Sequence, residues 1–238
     1  MAGNTGPDIA TDGLIFAVDA ANHKSYPGSG TTITDIGGSE NTGTLTNGPT
    51  FASGDGGSID FDGSNDYIQL QSNGTGTFNN QIFSLGMWFK LDVLKAYNVL
   101  FSYDYTAHSS PYYATHLRIE VSGAIRFHWN NGANRSMFTS AGVIVADTWY
   151  NIYITFKSGK QQIFLNGTLI KSATLPDTIT FYNQEVWVGR SNFSSGYTNG
   201  KITLFNYYNR ELSAAEVLQN YNATKGRFGL WVQQVVPI

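Results

Sequence analysis

The chain has 238 residues, a formal net charge of −3 and only 13% charged residues. It contains no cysteine, which excludes disulfides and thiolate metal sites, and no cluster of lysine and arginine, which argues against a nucleic-acid partner. The first residues lack the basic start and apolar run of a signal peptide, and no apolar run approaches membrane-spanning length. We therefore expect a protein made in a cytoplasm, with no nucleic-acid or membrane partner.

An alternation of apolar and polar residues predicts short β-strands along the chain. The first apolar run covers residues 14–18, and residues 28–50 are rich in Gly, Thr, Ser and Asn, which favours loops with brief strands. Further strands are predicted at residues 59–61, 68–70, 83–89, 117–121, 125–129, 152–156, 161–165, 169–174, 186–188 and 200–208. Asn166-Gly167 predicts a tight hairpin between two of them. This pattern predicts an all-β fold, a two-sheet antiparallel sandwich or jelly roll.

One turn can be predicted in detail from the strand pattern. A three-residue loop at residues 122–124 sets Ile119 opposite Phe127 and Glu120 opposite Arg126, which keeps both apolar sets on one face. It also predicts an opposite-charge pair across the strands. A two-residue loop would place a buried residue opposite an outward one, so the three-residue loop is favoured.

A single short helix is predicted near the C-terminus, over residues 213–222. Ser213 and Glu216 have the spacing of a capping box, in which each satisfies a backbone N–H of the first helical turn. No other segment shows a convincing helical period. The fold class is therefore a two-sheet sandwich with one short C-terminal helix.

The chain is predicted to form one domain, over residues 13–229. Residues 1–12 are small and polar, and we expect a flexible segment there. Residues 230–238 form an apolar tail that needs to be covered. Two alternatives stay open for this tail: it returns as an edge strand of its own sandwich, or it pairs with a neighbouring subunit by strand addition.

Several sequence blocks form an ordered series between residues 56 and 222. They are GSIDFDGSNDYI at residues 57–68, FSLGMWFK at 83–90, TWYN at 148–151, QIFLNG at 162–167, VG at 188–189, GKI at 200–202 and YNRELS at 208–213. Together and in this order, the blocks resemble laminin-G-like jelly rolls of the concanavalin A-like lectin/glucanase superfamily. The resemblance implies a concanavalin A-like jelly roll.

A narrower resemblance covers both ends of the chain. The blocks are GLIFAVDAAN at residues 13–22, SYPGSG at 25–30, TLTNGPT at 44–50 and NYNATKGRFG at 220–229. They resemble laminin-G-like proteins encoded by tailed bacteriophages. This resemblance implies a non-catalytic virion surface protein, a head or tail decoration that contacts other virion proteins or itself. The alternative is a carbohydrate-binding module that recognises a host-surface or environmental glycan.

Catalysis is not expected. Glucanases of this superfamily carry acidic residues alternating along one strand, because retaining hydrolysis needs two carboxylates about 5 Å apart across the sugar bond. The nearest pattern, Asp60-Phe61-Asp62, runs into a turn, and Glu120 alternates with Arg118 and is expected to be paired. We therefore predict that the protein is not an enzyme.

A structural calcium ion is one interpretation of Asp62, Asn65 and Asp66. Members of the superfamily often hold such an ion with loop oxygens, and oxygen ligands suit this hard cation. The acidic residue that the family places near the last strand is replaced here by Thr203. The other interpretation is that the three residues close a turn through side-chain-to-backbone hydrogen bonds, which is favoured. No other cofactor is predicted.

Two groups of aromatic and polar residues on predicted loops are expected to contact a glycan or a protein partner. Sugars stack on aromatic rings and hydrogen-bond to amides and guanidinium groups, and the same residue types are frequent at protein interfaces. The candidates are Tyr103, Tyr105, Tyr112, Tyr113, Asn131, Asn134 and Arg135 in one region, and Phe193 and Tyr197 in another. Sequence alone favours neither ligand class.

Overall fold

A computed structural model describes residues 8–38, 41–70, 77–104, 113–181, 185–192 and 196–230. Its strands are β1 (Leu14–Asp19), β2 (Thr32–Thr34), β3 (Thr42–Thr46), β4 (Thr50–Ala52), β5 (Ser58–Asp62), β6 (Tyr67–Leu70), β7 (Phe83–Leu91), β8 (Asn98–Asp104), β9 (Tyr113–Ile119), β10 (Ile125–Asn130), β11 (Asn134–Phe138), β12 (Tyr150–Lys157), β13 (Lys160–Leu165), β14 (Thr168–Ala173), β15 (Val186–Val188) and β16 (Asn199–Tyr208). One helix, α1, spans Ala214–Thr224, and short 3-10 turns lie at Gly54–Gly56 and Lys225–Phe228.

The strands form two antiparallel sheets of eight strands each. Sheet A has the order β14–β13–β12–β7–β16–β5–β4, and β1 pairs with the second half of β16. Sheet B has the order β11–β10–β9–β8–β15–β6–β3–β2. Neighbours in space are often distant in sequence, because the chain crosses repeatedly from one sheet to the other. The predicted all-β, two-sheet jelly-roll sandwich with one short C-terminal helix is confirmed.

The core between the sheets is rich in aromatic rings. Phe83 on β7 stacks on Phe156 of β12 at 5.6 Å and on Tyr207 of β16 at 5.4 Å. Phe127 on β10 of the opposite sheet meets Phe83 edge-on at 6.4 Å. Such pairs add about 0.5–1.5 kcal/mol each beyond the area they bury. The alternation seen in the sequence therefore marks the inward faces of both sheets.

The outer face of sheet A is covered by α1 and the turn that follows it. Trp88 of β7 is fully buried there, with its ring 4.1 Å from Phe228 and 5.7 Å from Tyr221. Its Nε1 donates to Thr224 Oγ1 at 2.8 Å. Trp149 joins the same cluster, 4.7 Å from Phe228. The helix is thus a third layer over an apolar face that would otherwise meet water.

The start of α1 has the predicted capping box. Ser213 Oγ accepts from Glu216 N at 3.3 Å, and Glu216 Oε2 accepts from Ser213 N at 2.8 Å. Arg210 Nη2 donates to Glu216 Oε1 at 2.6 Å, and this bond holds the pKa of Glu216 at about 2. The predicted helix is confirmed, and it ends two residues later than expected, at Thr224.

Asn220 of α1 is a buried hydrogen-bonding hub between the helix, the sheet and the N-terminal segment. Its Nδ2 donates to the hydroxyl oxygens of Tyr153 and Tyr208 at 2.9 and 3.0 Å, and its Oδ1 accepts from Ala10 N at 2.7 Å. Gly86 on β7 leaves room for the Tyr153 ring, because a Cβ there would lie 2.1 Å from it. Sheet A and α1 are therefore joined by polar as well as apolar contacts.

Part of the segment predicted to be flexible is tied to this layer. Tyr208 Oη donates to Ala10 O at 2.9 Å, and Gln219 Nε2 donates to Asp8 O at 2.7 Å. The expectation of a loose segment over residues 1–12 is wrong for Asp8 and Ala10, because both bond to the helix layer. Residues 1–7 lie outside the described residues, as do residues 231–238 of the predicted tail.

The β9–β10 turn has the predicted length at a different position. Ile119 lies opposite Ile125, and Glu120 N donates to Ala124 O at 2.9 Å. The three loop residues are therefore 121–123, one step earlier than expected. Gly123 closes the loop with a φ of +75°, a conformation that favours glycine at this place in a three-residue hairpin.

The predicted pairs of Ile119 with Phe127 and of Glu120 with Arg126 are consequently wrong. Arg126 lies opposite Arg118. A shift of two residues keeps the same side chains inward, so the apolar pattern could not distinguish the two registers. Glu120 still reaches Arg126 diagonally, with 3.5 Å between Glu120 Oε1 and Arg126 Nη1.

The Asn166-Gly167 hairpin is confirmed, whereas strand β8 was not predicted. Asn166 and Gly167 have φ values of +50° and +78°, as a two-residue hairpin turn between β13 and β14 requires. Every residue of β8 (Asn98–Asp104) is buried. Its sequence shows no clear apolar–polar alternation, because Val99, Leu100 and Phe101 are consecutive apolar residues at a point where the register against β9 shifts.

Candidate recognition site

The outer face of sheet B carries polar and aromatic side chains, unlike the outer face of sheet A. One transverse row consists of residues that lie directly opposite each other on successive strands. From β11 to β3 these are Ser136, His128, His116, Ser102, Trp187, Gln69 and Thr44. Helix α1 lies on the other sheet. The outer face of sheet B is therefore the broad surface on which polar chemistry is concentrated.

A histidine pair lies on this face, on β9 and β10 next to the edge strand β11. His116 and His128 are both buried, with ring centroids 5.7 Å apart, and the ring of Tyr113 stacks on His116 at 4.5 Å. Burial, together with the nearby charges of Arg126 and Arg118, lowers the pKa of His128 to about 3. His128 is therefore neutral at physiological pH. Tyr113, a predicted contact residue, is half-buried and serves partly as a cover for this pair.

Arginine and aromatic side chains alternate next to the histidines. Arg118 Nη2 lies 2.9 Å from Glu120 Oε1, and the Arg118 guanidinium lies 4.5 Å from the Tyr97 ring. The Arg126 guanidinium lies 4.4 Å from the ring of Phe138. Glu120 thus binds two guanidinium groups, as its alternation with arginine suggested.

At the β10–β11 turn, two of the predicted contact residues, Asn131 and Arg135, approach Asp177. Asn131 Nδ2 donates to Asp177 Oδ1 at 2.7 Å, and Arg135 Nε lies 3.7 Å from Asp177 Oδ2. Trp129 is buried in the core and donates to the same oxygen at 2.9 Å. Asn134 and Arg135 are exposed but begin β11, so their predicted place on a loop is wrong. Asn131 is used internally, and the other two remain available to a ligand.

The remaining predicted aromatic residues do not lie together on one surface that the structure describes. Tyr103 lies within β8, only 2% exposed, and its hydroxyl bonds to Asn79 Oδ1. Its predicted role as a loop contact is wrong, because the strand points its ring into the core. Tyr105, Tyr112 and Phe193 lie outside the described residues.

Tyr197 belongs to an aromatic cluster around Arg190, which we call the Arg190 cluster. The Arg190 guanidinium carbon lies 4.3 Å from the Trp187 ring, 4.5 Å from the Tyr67 ring and 5.6 Å from the Tyr197 ring. Arg190 and Tyr197 form an isolated antiparallel bridge. The backbone thus brings a predicted contact residue next to an arginine that the sequence did not single out.

A polar cleft opens at one end of the sandwich, where the turn between β5 and β6 joins the two sheets. Its volume is about 370 Å³. The residues that line it are Asn47, Gly48, Thr50, Asp60, Phe61, Asp62, Asp66, Asp92 and Asn199. Lys201 Nζ lies 2.8 Å from Asp60 Oδ2 and 3.8 Å from Asp92 Oδ1. The polar cleft therefore presents hydrogen-bond donors and acceptors in a concave site.

Asp62, Asn65 and Asp66, the predicted calcium ligands, close the turn beside this cleft. Asp62 Oδ1 accepts from Ser64 N at 2.7 Å and from Asn65 N at 3.3 Å, and Asp66 Oδ2 accepts from Asp62 N at 3.0 Å. The bond from Ser64 holds the pKa of Asp62 below its usual value, whereas burial raises that of Asp66. These bonds fit the turn interpretation, and calcium binding stays a prediction.

The residues offer a poor set of ligands for calcium. Across the described ranges, no three His, Cys, Asp or Glu side chains are placed to hold a metal ion. Thr203 Oγ1, at the position of the family's acidic residue, bonds to Gly57 O and accepts from Arg227 Nη2 at 2.7 Å. Thr203 is buried, and its hydroxyl bonds to Gly57 and Arg227 and not to Asp62 or Asp66. The ammonium group of Lys201 already supplies positive charge to the cleft.

The fold and these sites can be placed among known proteins. The family model described as the concanavalin A-like lectin/glucanases superfamily matches residues 62–218. The chain belongs to this superfamily. No curated protein matches this concanavalin A-like domain in sequence. No helix in the described ranges is long and apolar enough to cross a membrane.

Solved structures show the same fold at low sequence identity. The receptor-binding domain of botulinum neurotoxin type G is 21% identical with a TM-score of 0.66, over 88% of this chain and 51% of that chain. Domain 4 of an extracellular arabinanase from Geobacillus stearothermophilus, solved in complex with arabinotriose, is 18% identical with a TM-score of 0.63, over 87% and 98%. A Trypanosoma rangeli sialidase is 15% identical with a TM-score of 0.65, over 93% and 34%. The concanavalin A-like domain thus spans about half of the toxin domain.

Proposed function

We propose that this concanavalin A-like domain is a non-catalytic carbohydrate-binding module and that the polar cleft is its binding site. The observation that carries the proposal is a cleft of about 370 Å³ whose lining is mostly carboxylate, amide and hydroxyl groups. Small-ligand sites are concave and typically enclose about 300–1,000 Å³. A sugar presents many hydroxyl groups that both donate and accept, and this lining offers partners for both.

The charged groups in the cleft suit a ligand that presents hydroxyl groups better than they suit an ion. Asp62 stays ionised because its pKa is lowered, so it accepts hydrogen bonds from hydroxyl groups. Lys201 neutralises Asp60 and lies near Asp92. Asn199 lies on the same wall, with its Nδ2 bonded to Asp62 O at 3.0 Å. A ligand therefore meets alternating donors and acceptors.

The arrangement of the carboxylates supports binding without hydrolysis. Glycoside hydrolysis needs an acid and a second carboxylate on either side of the bond that breaks. The pKa values of Asp62 and Asp66 are shifted in opposite directions, as in such pairs. Asp66, however, is only 4% exposed, and its Oδ2 accepts from the Asp62 backbone. We expect no reducing ends to be released from laminarin, agar or host polysaccharide.

A glycan array with matched variants tests this proposal. Asp92 is 42% exposed and makes only a 3.8 Å contact to Lys201, so Asp92→Ala should alter the cleft without unfolding the domain. Asp12 is 89% exposed on the helix side, and Asp12→Ala removes the same charge far from the cleft. We expect Asp92→Ala to lower glycan affinity by about fivefold or more, the loss of roughly one hydrogen bond. Absence of binding, or equal effects of the two variants, would contradict the proposal.

A second proposal concerns where the module acts. The resemblance of the chain ends to phage-encoded laminin-G-like proteins supports a place on the surface of a virion, as a head or tail decoration that contacts other virion proteins. Co-purification with capsid or tail proteins from phage particles tests it. Recovery of the protein only in the soluble fraction of infected cells would argue against a virion role and leave glycan binding unaffected.

A further inference from the structure

Among the described residues, Arg190 differs from the other arginines in having no counter-ion. The sequence contains six arginines, and five of them have a carboxylate oxygen within 4.0 Å. These five are Arg118, Arg126, Arg135, Arg210 and Arg227. Within the described ranges, the Arg190 side chain has no ion pair and no hydrogen bond. Its charge is stabilised only by aromatic rings.

Backbone contacts and aromatic rings nevertheless hold Arg190 in place. Ser102 Oγ donates to Arg190 O at 2.8 Å, and the backbone bridge to Tyr197 holds the same residue. The guanidinium is within 4.5 Å of both the Trp187 and Tyr67 rings, which meet edge-on at 77°. Rings in this arrangement favour a cation but accept no strong hydrogen bond from its N–H groups.

The Arg190 cluster therefore has donors without acceptors. The Nε atom of Arg190 and the Nε1 atom of Trp187 are both buried without a hydrogen-bond partner. The terminal nitrogens of Arg190 also have no partner among the described residues, and they are not fully buried. A partly buried, unpaired charge is unfavourable, and a planar guanidinium fork matches a carboxylate or sulfate from outside.

We propose that Arg190 binds the acidic group of an acidic glycan, either a carboxylate or a sulfate, while Tyr67 and Tyr197 flank the sugar ring. Tyr67 directly follows Asp66, and Tyr197 lies two residues before Asn199, so the cluster and the polar cleft lie at the same end of the sandwich. The half-buried tyrosine rings favour a sugar over an acidic peptide, because sugar rings stack on aromatic faces. This inference rests on the proposed carbohydrate-binding function.

Calorimetric titration with three oligosaccharides tests the proposal on the full chain. Alginate oligosaccharides carry carboxylates only, carrageenan oligosaccharides carry sulfates only, and agarose oligosaccharides are neutral. We expect the wild-type protein to bind at least one acidic ligand more tightly than the neutral one, and less tightly as salt is added. Comparison of alginate with carrageenan shows which acidic group is preferred.

Three variants distinguish a specific site from general charge. Arg190→Gln should lower affinity for the acidic ligand at least tenfold and leave affinity for the neutral ligand unchanged. Arg190→Lys should lose most of the same affinity, because an ammonium lacks the planar fork. Lys160→Gln removes an exposed positive charge on sheet A that already pairs with Glu211, and it should bind as the wild type does.

A measurement on the wild-type protein covers the case in which Arg190→Gln fails to fold. The NMR signal of the Arg190 Nε–H, assigned by its absence in Arg190→Lys, should shift on addition of the acidic but not the neutral oligosaccharide. The proposal is overturned if this signal does not move, if Arg190→Gln binds acidic ligands like Lys160→Gln, or if poly-glutamate binds and acidic glycans do not. Neutral binding without acidic binding overturns this inference alone, whereas absence of all glycan binding overturns the proposed function as well.

Discussion

The outer faces of the two sheets contrast sharply. On sheet A, the outward side chains include Trp88, Tyr153 and Tyr208, and α1 covers them. On sheet B, they are mostly hydroxyl, imidazole, guanidinium and amide groups, and the helix lies elsewhere. An apolar outer face needs a third layer, because exposed apolar surface is unfavourable in water. No helix covers the polar outer face of sheet B, although Ser102, His116, His128 and Trp187 on it are buried. We infer that the outer face of sheet A serves stability, whereas sheet B carries more of the polar candidates for ligand contact.

The largest expected effect comes from removing a ring beneath the helix. Trp88 is fully buried against Phe228 and Tyr221, so Trp88→Ala should lower the free energy of unfolding by about 3–5 kcal/mol. Phe138 on sheet B is 42% exposed, and Phe138→Ala should lower the free energy of unfolding by about 1 kcal/mol or less. Chemical denaturation measures both. Similar losses in the two variants would remove the contrast between the faces.

The next effect is a pH dependence that comes from sheet B. The pKa of His128 is lowered to about 3 in the folded protein, mainly by burial, and is near 6.5 in the unfolded chain. The unfolded chain therefore takes up the proton first. Stability from the neutral imidazole is complete above pH 6.5 and is lost as the pH falls toward 3, by up to about 4 kcal/mol.

Denaturation of His128→Phe across this pH range measures that contribution. We expect its free energy of unfolding to fall less between pH 6.5 and pH 4 than that of the wild type. His23→Phe, at an exposed position, is the matched control and should follow the wild type. Parallel pH profiles for all three proteins would show that His128 is protonated without unfolding.

A smaller effect is expected for the hydrogen-bonding hub under α1. Asn220→Ala leaves the hydroxyls of Tyr153 and Tyr208 and the N–H of Ala10 without their partner. We expect a loss of about 1–3 kcal/mol, the usual cost of leaving buried polar groups unsatisfied. Hydrogen exchange should show faster opening of α1 in the variant. Unchanged exchange would mean that apolar contacts alone hold the helix on sheet A.

The smallest expected effect concerns calcium. Because Asp62 and Asp66 already accept backbone hydrogen bonds, we expect a chelator to change the melting temperature by less than about 1 °C. Differential scanning calorimetry with EDTA and with millimolar Ca²⁺ measures this. A rise of several degrees with Ca²⁺ that Asp62→Asn abolishes would instead establish a structural ion at the β5–β6 turn.

Much of the fold could be predicted from sequence, because many strands show a visible alternation of apolar and polar residues. β7, β12 and β16 were found in this way although most of their residues are buried, and the Ser213–Glu216 spacing identified the start of α1. β8 was not found, because its consecutive apolar residues Val99, Leu100 and Phe101 interrupt the alternation at a register shift. The β9–β10 register was wrong by two residues, because both registers bury the same side chains.

The candidate site was predictable only in part. Asp62, Asp66 and Tyr197 were identified because their residue types suit turns and ligand contacts. Asp92, Asn199 and Arg190 gave no local signal. They become neighbours of the predicted residues only when β7, β15 and β16 take their places in the two sheets. The predicted Tyr103 contact failed because residue type does not tell which way a strand points a ring.

The sequence by itself determined the class of fold, the position of the helix and the residue types available for recognition. These follow from local properties: periodicity, capping chemistry and turn residues act within a few positions of the chain. Tertiary structure decided which sheet α1 covers, how the polar cleft forms and why Arg190 has no carboxylate partner in the part of the chain that the structure describes. Those features depend on contacts between strands far apart in sequence, such as β6 with β15, and on the partners that burial leaves to each charged group.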